Sequence, residues 1–253
     1  MKENLWIIRK LKKRPTFRLF CFCYAGGSAV GFMEWDALIH PRIEICAIQL
    51  PGRGARFHEP PYSTIGRLIP DLARAMKGLD DLPCAFFGHS LGGLIAFELA
   101  RYYRQHCPTM PQHLFVSGCA APQHRSKSKG LHELDDEQLL EELANFNGTP
   151  PEVLEQRELM ELILPTIRAD FALAERYAYL ESQPLGVPMT VLAGEKDKFD
   201  SPEQVSGWSM ETSAGCDVEW FEGDHFFIHQ QVAQVVRCVN SRLMPPETYV
   251  GAC

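Results

Sequence analysis

The 253-residue chain has no CxxC pair, no internal repeat, no excess of basic charge, and no apolar run near the ~20 residues needed to cross a bilayer. Each absence removes a class. Without paired cysteines at ligand spacing, a zinc-ribbon or zinc-finger site is not expected. Without a long apolar run, neither is a helical membrane span. A formal charge of −7 supplies no field that would gather polyphosphate, so nucleic acid is not an expected partner. Apolar residues at 45% and charged residues at 23% rule out wholesale disorder, a collagen repeat and a coiled-coil rod. The N-terminal stretch MKENLWIIRKLKKRP is basic, but its apolar part, residues 5–8, is too short for a signal-peptide core. Nine cysteines, an odd number, then read as reduced and mostly buried thiols of a cytoplasmic protein.

What is present is an alternation. Apolar runs at residues 18–24, 43–50, 84–87, 114–117, 189–193 and 218–221 read as strands, several of them stopped by Gly or Pro. Residues 65–79 and 91–103 repeat their apolar positions at helical spacing. Strands alternating with helices predict an α/β fold, a mostly parallel central sheet with helices on both faces. Residues 123–183 break the rhythm with helical patterns only. One amphipathic stretch is carried by Leu131, Leu134, Leu139, Leu140, Leu143 and Phe146. A second covers residues 159–180, where Pro165 is expected to kink or split it. We read residues 1–253 as one domain, with 123–183 a helical lid inserted within it. The lid's acidic run, from Glu133 to Glu142, reads as a solvated helix surface rather than a docking face.

Gly88-His89-Ser90-Leu91-Gly92 matches G-x-S-x-G between a predicted strand and a predicted helix. A sharp strand-to-helix turn would strain Ser90 and present its hydroxyl at a helix N-terminus, where amides favour developing negative charge. A serine hydroxyl needs a base. His225, just after the strand at 218–221, would stand on the same sheet edge; His229 is the competitor one turn later. The base needs an acid to fix its tautomer. Asp197, just after the strand at 189–193, is first choice and Asp200 the runner-up, while Glu195 follows the strand too soon. The chain order Ser90, Asp197, His225 is that of α/β-hydrolases. The oxyanion would be met by the backbone amides of Leu91 and Ala25, the latter in the Tyr24-Ala25-Gly26-Gly27 turn, each worth about 3 kcal/mol.

Several segments together make the chain resemble the type II thioesterases that accompany nonribosomal peptide and polyketide synthases. They are Phe22-Cys23-Tyr24-Ala25-Gly26-Gly27-Ser28-Ala29, Leu50-Pro51-Gly52-Arg53-Gly54-Ala55-Arg56, Gly88-His89-Ser90-Leu91-Gly92-Gly93, Gly148-Thr149-Pro150-Pro151-Glu152-Val153, Leu164-Pro165-Thr166-Ile167-Arg168-Ala169-Asp170-Phe171 and Gly223-Asp224-His225-Phe226-Phe227. The resemblance spans nearly the whole chain. Its most specific parts are the Pro-Gly-Arg-Gly loop and the LP-x-x-RADF segment.

The resemblance implies an α/β-hydrolase fold and hydrolysis of acyl thioesters on the phosphopantetheine arm of acyl or peptidyl carrier protein domains. It implies an acyl-serine intermediate on Ser90, with Asp197 as acid, His225 as base and Ala25 and Leu91 as oxyanion donors. It also implies that residues 123–183 are a mobile lid; separately, a monomer with no metal or cofactor of its own is expected. Cys23 stands where the family often has Pro, and Asp224 where Gly is usual. Arg53 and Arg56 are expected to brace their loop; carrier docking is the other role they could serve. Three other functions share much of this pattern: a chain-releasing fatty acyl-carrier thioesterase, a small-ester esterase or lipase, and a hydrolase fold turned scaffold.

Overall fold

A computed structural model describes residues 4–125, 129–146 and 148–244. Its centre is a seven-stranded sheet of order β1-β3-β2-β4-β5-β6-β7. The strands are β1 (Ile7–Arg9), β2 (Phe17–Phe22), β3 (Ile43–Ile48), β4 (Cys84–His89), β5 (Leu114–Ser117), β6 (Met189–Gly194) and β7 (Cys216–Phe221). All pairings are parallel except β1 with β3. Strand β1 is an addition to the expected set. Its three residues fall in a stretch too short and too mixed to signal a strand, and their pairing with β3 supplies what local pattern does not.

Side chains alternate across the sheet, so each strand feeds two cores. Phe20, Phe22, Phe86 and Val116 pack with α1 (Ile65–Ala75) and α2 (Leu91–His106) on one face. Leu19, Cys21, Phe87 and Phe115 face the other side, against Phe227 of α7 (Phe227–Gln230) and Val235, Val236 and Val239 of α8 (Val232–Leu243). Burial on both faces is why the inner strands β2 to β6 read as largely apolar runs, whereas β7 at the edge is half-exposed. At about 1.5–3 kcal/mol for each fully buried large apolar side chain, these two layers fix the strand ends that carry the site.

Between β5 and β6 the described residues hold no strand. Here lie α3 (Asp136–Phe146), α4 (Pro151–Leu154) and α5 (Arg157–Glu175), followed after β6 by α6 (Pro202–Ser206). Leu139 and Leu143 of α3 meet Met160, Leu164 and Ile167 of α5 in a small core of their own. In helix α5 the split allowed for at Pro165 does not occur, and the C-terminal end differs from expectation. The helix runs unbroken through Pro165, because packing on both sides of the proline outweighs one lost N–H···O bond. It also ends at Glu175 rather than near 180, and Arg101 and Arg104 of α2 then hold the carbonyls of Leu180 and Gln183 in a non-helical path. Arg168 of α5 pairs with Asp136 at 2.6 Å, and the rest of the acidic run is largely exposed.

Candidate active site

Ser90 sits between β4 and α2 with φ +54°, the one non-glycine among the described residues with positive φ. Such backbone costs on the order of 1–3 kcal/mol and must be enforced by surroundings. Here the Ser90 amide donates to the Ser117 carbonyl at 2.8 Å, and the chain passes so close that a Cβ at Gly88 would lie 2.0 Å from the Gly92 carbonyl oxygen. A Cβ at Gly92 would lie 2.0 Å from the Phe22 carbonyl oxygen. Only glycine fits at both positions, which is the physical content of the motif. Leu91 opens α2, so its amide has no acceptor within the helix and is free to meet an anion.

His225 follows β7, and its Nδ1–H donates to Asp197 Oδ2 at 2.8 Å. Their side chains are 8% and 3% exposed, so the pair lies out of bulk water. The other oxygen of Asp197 accepts from the Phe199 amide at 2.8 Å, which fixes the carboxylate plane. Asp200 stands nearby, one ligand-type atom of Asp197, Asp200 and His225 each lying within 4.8 Å of the others. Burial, then the charge of Asp197, raise the Asp200 carboxyl above its ordinary range. Asp197 is the partner of the imidazole. The donor types of this trio would suit a divalent cation, but the Asp197–His225 hydrogen bond accounts for their closeness without one. His229 instead meets the Tyr24 hydroxyl at 3.0 Å.

Asp224 does not take left-handed backbone; Gly223 beside it does, at φ +130°. Asp224 Oδ1 accepts from the Phe226 amide at 2.9 Å, so the departure from the family's Gly tightens the histidine loop. Cys23 is buried, and burial pushes its thiol up to about 12, which leaves it an inert filler. His89, fully buried, shares Nδ1 with Ser117 Oγ at 2.8 Å; burial holds its pKa well below the usual value, so it stays neutral beside His225.

Ser90, His225, Tyr24, Ala25 and Gly26 line one cavity of about 240 Å³. Its remaining wall comes largely from residues 143–171, with Leu143, Phe146, Val153, Ile163, Ile167 and Phe171 all apolar. The chamber thus brings a serine hydroxyl and the imidazole of an imidazole–carboxylate pair to one largely apolar space. Ala25 lies where the oxyanion turn was expected.

Two features have weak sequence signals. Phe146 of α3 stacks on Phe199 with ring centroids 4.6 Å apart, and Phe199 sets its edge against the His225 ring at 5.1 Å. Neither phenylalanine stands in a recognisable motif. Arg53 and Arg56 are buried at their guanidinium ends, on Asp170 and on Glu59 with the Gln49 carbonyl respectively. Both brace their loop, as expected. Asp170 stands in the LP-x-x-RADF segment of the sequence, which by itself assigns it no role.

A family model described as "Thioesterase domain" matches residues 17–243. The Gramicidin S biosynthesis protein GrsT of Aneurinibacillus migulanus is 38% identical, covering 95% of this chain and 95% of its own. Among solved structures, the type II thioesterase BorB from the borrelidin biosynthetic cluster superposes with a TM-score of 0.87 at 32% identity, over 93% of this chain and 96% of that one. YbtT, a type II thioesterase from the yersiniabactin NRPS/PKS pathway, gives a TM-score of 0.82 at 32% identity over 93% and 96%.

Proposed function

The chain belongs to the thioesterase domain family, a serine hydrolase of α/β-hydrolase fold, and from that premise we propose that it is a type II editing thioesterase. In this reading it clears acyl groups from the phosphopantetheine arms of carrier proteins in a nonribosomal peptide or polyketide synthase. The observation that carries it is that Ser90 and His225 line one largely apolar chamber, with His225 backed by Asp197. Matches to proteins of such pathways along most of the chain support the substrate class.

In the reaction, His225 Nε2 takes the Ser90 proton as Oγ attacks the thioester carbonyl. The oxyanion rests on the Ala25 and Leu91 amides. The C–S bond breaks, the pantetheine sulfur takes the proton from His225, and an acyl-Ser90 ester remains. Water then attacks that ester with His225 again as base; the proton returns to Ser90 Oγ and a free acid leaves. Asp197 holds the Nδ1 tautomer throughout. The chain supplies these groups without a cofactor of its own, acts as a monomer in the cytoplasm, and uses residues 123–183 as a lid over the acyl group. No helix among the described residues is long and apolar enough to cross a membrane.

The test is hydrolysis of one acyl group presented on a carrier protein, on coenzyme A and as a simple oxygen ester. The reading expects kcat/KM to be highest on the carrier. Faster turnover of the oxygen ester would make the protein an esterase. A strong preference for full-length fatty acyl chains over short ones would make it a chain-releasing enzyme.

A further inference from the structure

Asp170 lies on α5, within the helical insertion, and is 1% exposed. A carboxylate so deep requires donors, and three reach it. Arg53 gives Nη2 to Oδ1 at 2.7 Å and Nη1 to Oδ2 at 2.8 Å, and the Gly26 amide gives a third bond to Oδ2 at 2.8 Å. Arg53 Nη1 also donates to the Gly27 carbonyl at 3.0 Å. The Tyr24–Gly27 turn is therefore gripped at both Gly26 and Gly27, from the insertion and from the Pro-Gly-Arg-Gly loop.

The grip decides which amide faces the substrate. Within the turn, the Gly27 amide is used by the Tyr24 carbonyl at 3.0 Å, and Gly26 has φ +75°, as the third residue of a type II turn requires. With Gly26 and Gly27 engaged, the amide left for an oxyanion is that of Ala25. Ile167, one turn before Asp170 on α5, would lie 3.2 Å from a Cβ at Gly26, so the helix also closes the turn's outer side. Thr166 Oγ1 donates to the Gly52 carbonyl at 2.8 Å, tying the same helix to the loop that carries Arg53.

We propose that Asp170 is a positioning residue for the oxyanion hole: by holding the Gly26 amide it orients the Ala25 N–H, so the hole is complete only while α5 is docked on the sheet domain. The inference rests on the thioesterase reading above and deepens it. It gives the insertion a part in the chemical step as well as in shaping the acyl chamber. The charge on Asp170 matters because a charge-assisted bond to an amide is shorter and stiffer than a neutral one, and oxyanion donors act only when aimed in advance.

The test compares Asp170→Asn with the double variant Arg53→Met, Asp170→Leu, in which an apolar pair of similar volume replaces the buried ion pair and restores packing. Removing the aim of one donor should lower kcat roughly tenfold to a hundredfold in both variants, with KM changed by less than about twofold. Affinity for a trifluoromethyl ketone analogue of the transition state should fall by the same factor as kcat. The double variant should recover the parent's melting temperature without recovering kcat, which a merely structural role would not allow. A stably folded variant that keeps the parent's kcat, or that loses kcat while the ketone binds unchanged, overturns the proposal. Each protein is also assayed on p-nitrophenyl butyrate. If the parent fails on acyl-carrier but turns over this ester, the carrier reading falls while the Asp170 comparison stands.

Discussion

The two halves of the chamber are built by different means. On the sheet edge, Ser90 is held by backbone against backbone: its amide on Ser117, and Gly88 and Gly92 pressed where no Cβ would fit. The helical insertion rests instead on side chains, with a core of five buried residues among them Leu139 and Leu164, and a few polar ties such as Tyr177 to Glu98 at 2.7 Å. Chemistry needs positions reproducible to a fraction of an ångström, and close-packed backbone gives Ser90 that. Substrate shape needs a wall that can differ between proteins without disturbing the catalytic groups, and a side-chain-packed unit gives that. The Asp170–Gly26 bond is where the two halves share one function.

Variants can break this comparison, starting on the sheet edge. Ser90→Ala should lower turnover of acyl-carrier thioesters by at least about 10³-fold while the melting temperature and circular dichroism hold, since the nucleophile contributes to the reaction and little to packing. Among the acids the contrast should be internal. Asp197→Asn should cost roughly 10²- to 10⁴-fold in kcat/KM because the imidazole loses its tautomer, whereas Asp200→Asn should cost less than about tenfold. Equal losses would mean that the two carboxylates share the role.

In the insertion, the expected effect is on stability and KM. Leu139→Ala removes a fully buried side chain from the small core and should cost about 2–5 kcal/mol locally. Hydrogen exchange should quicken in residues 131–175 and stay slow in β4 and β5, with KM rising more than kcat falls. If exchange quickened equally across the sheet, the insertion would be part of one cooperative unit and the comparison would fail.

The last effect is on pH. His113 meets Thr190 Oγ1 at 2.9 Å beneath the sheet, and burial lowers its pKa to about 4. The unfolded chain binds this proton below about pH 6.5 and the folded one does not, so the contribution is complete above that pH and declines by about 1.4 kcal/mol per unit down to about pH 4. His113→Gln should flatten the acid limb of a denaturant-derived stability profile. An unchanged slope would place the acid sensitivity elsewhere.

The inner strands were legible because burial on both faces leaves largely apolar runs, and β5 was bounded to the residue. Ser90 was legible because its turn demands glycine at fixed offsets. Asp197 and His225 were legible through their position just past strands, although choosing between Asp197 and Asp200 required the 2.8 Å contact. Edge strand β1 was missed because three residues carry no period. Whether α5 would continue through Pro165 was left open by the sequence, because tertiary packing decides against local propensity there. The Arg53–Asp170 clamp joins positions 117 residues apart, and no local pattern reports a contact at that distance.

The central claim is that Ser90 carries the acyl group between thioester and water. Mixing the protein with a radiolabelled acyl-carrier thioester, quenching in acid within the first turnover and mapping the labelled peptide tests it directly. The account predicts label on the peptide containing Ser90, thiol released ahead of free acid, and no label in Ser90→Ala. Label on another residue, or undiminished hydrolysis by Ser90→Ala, would contradict it.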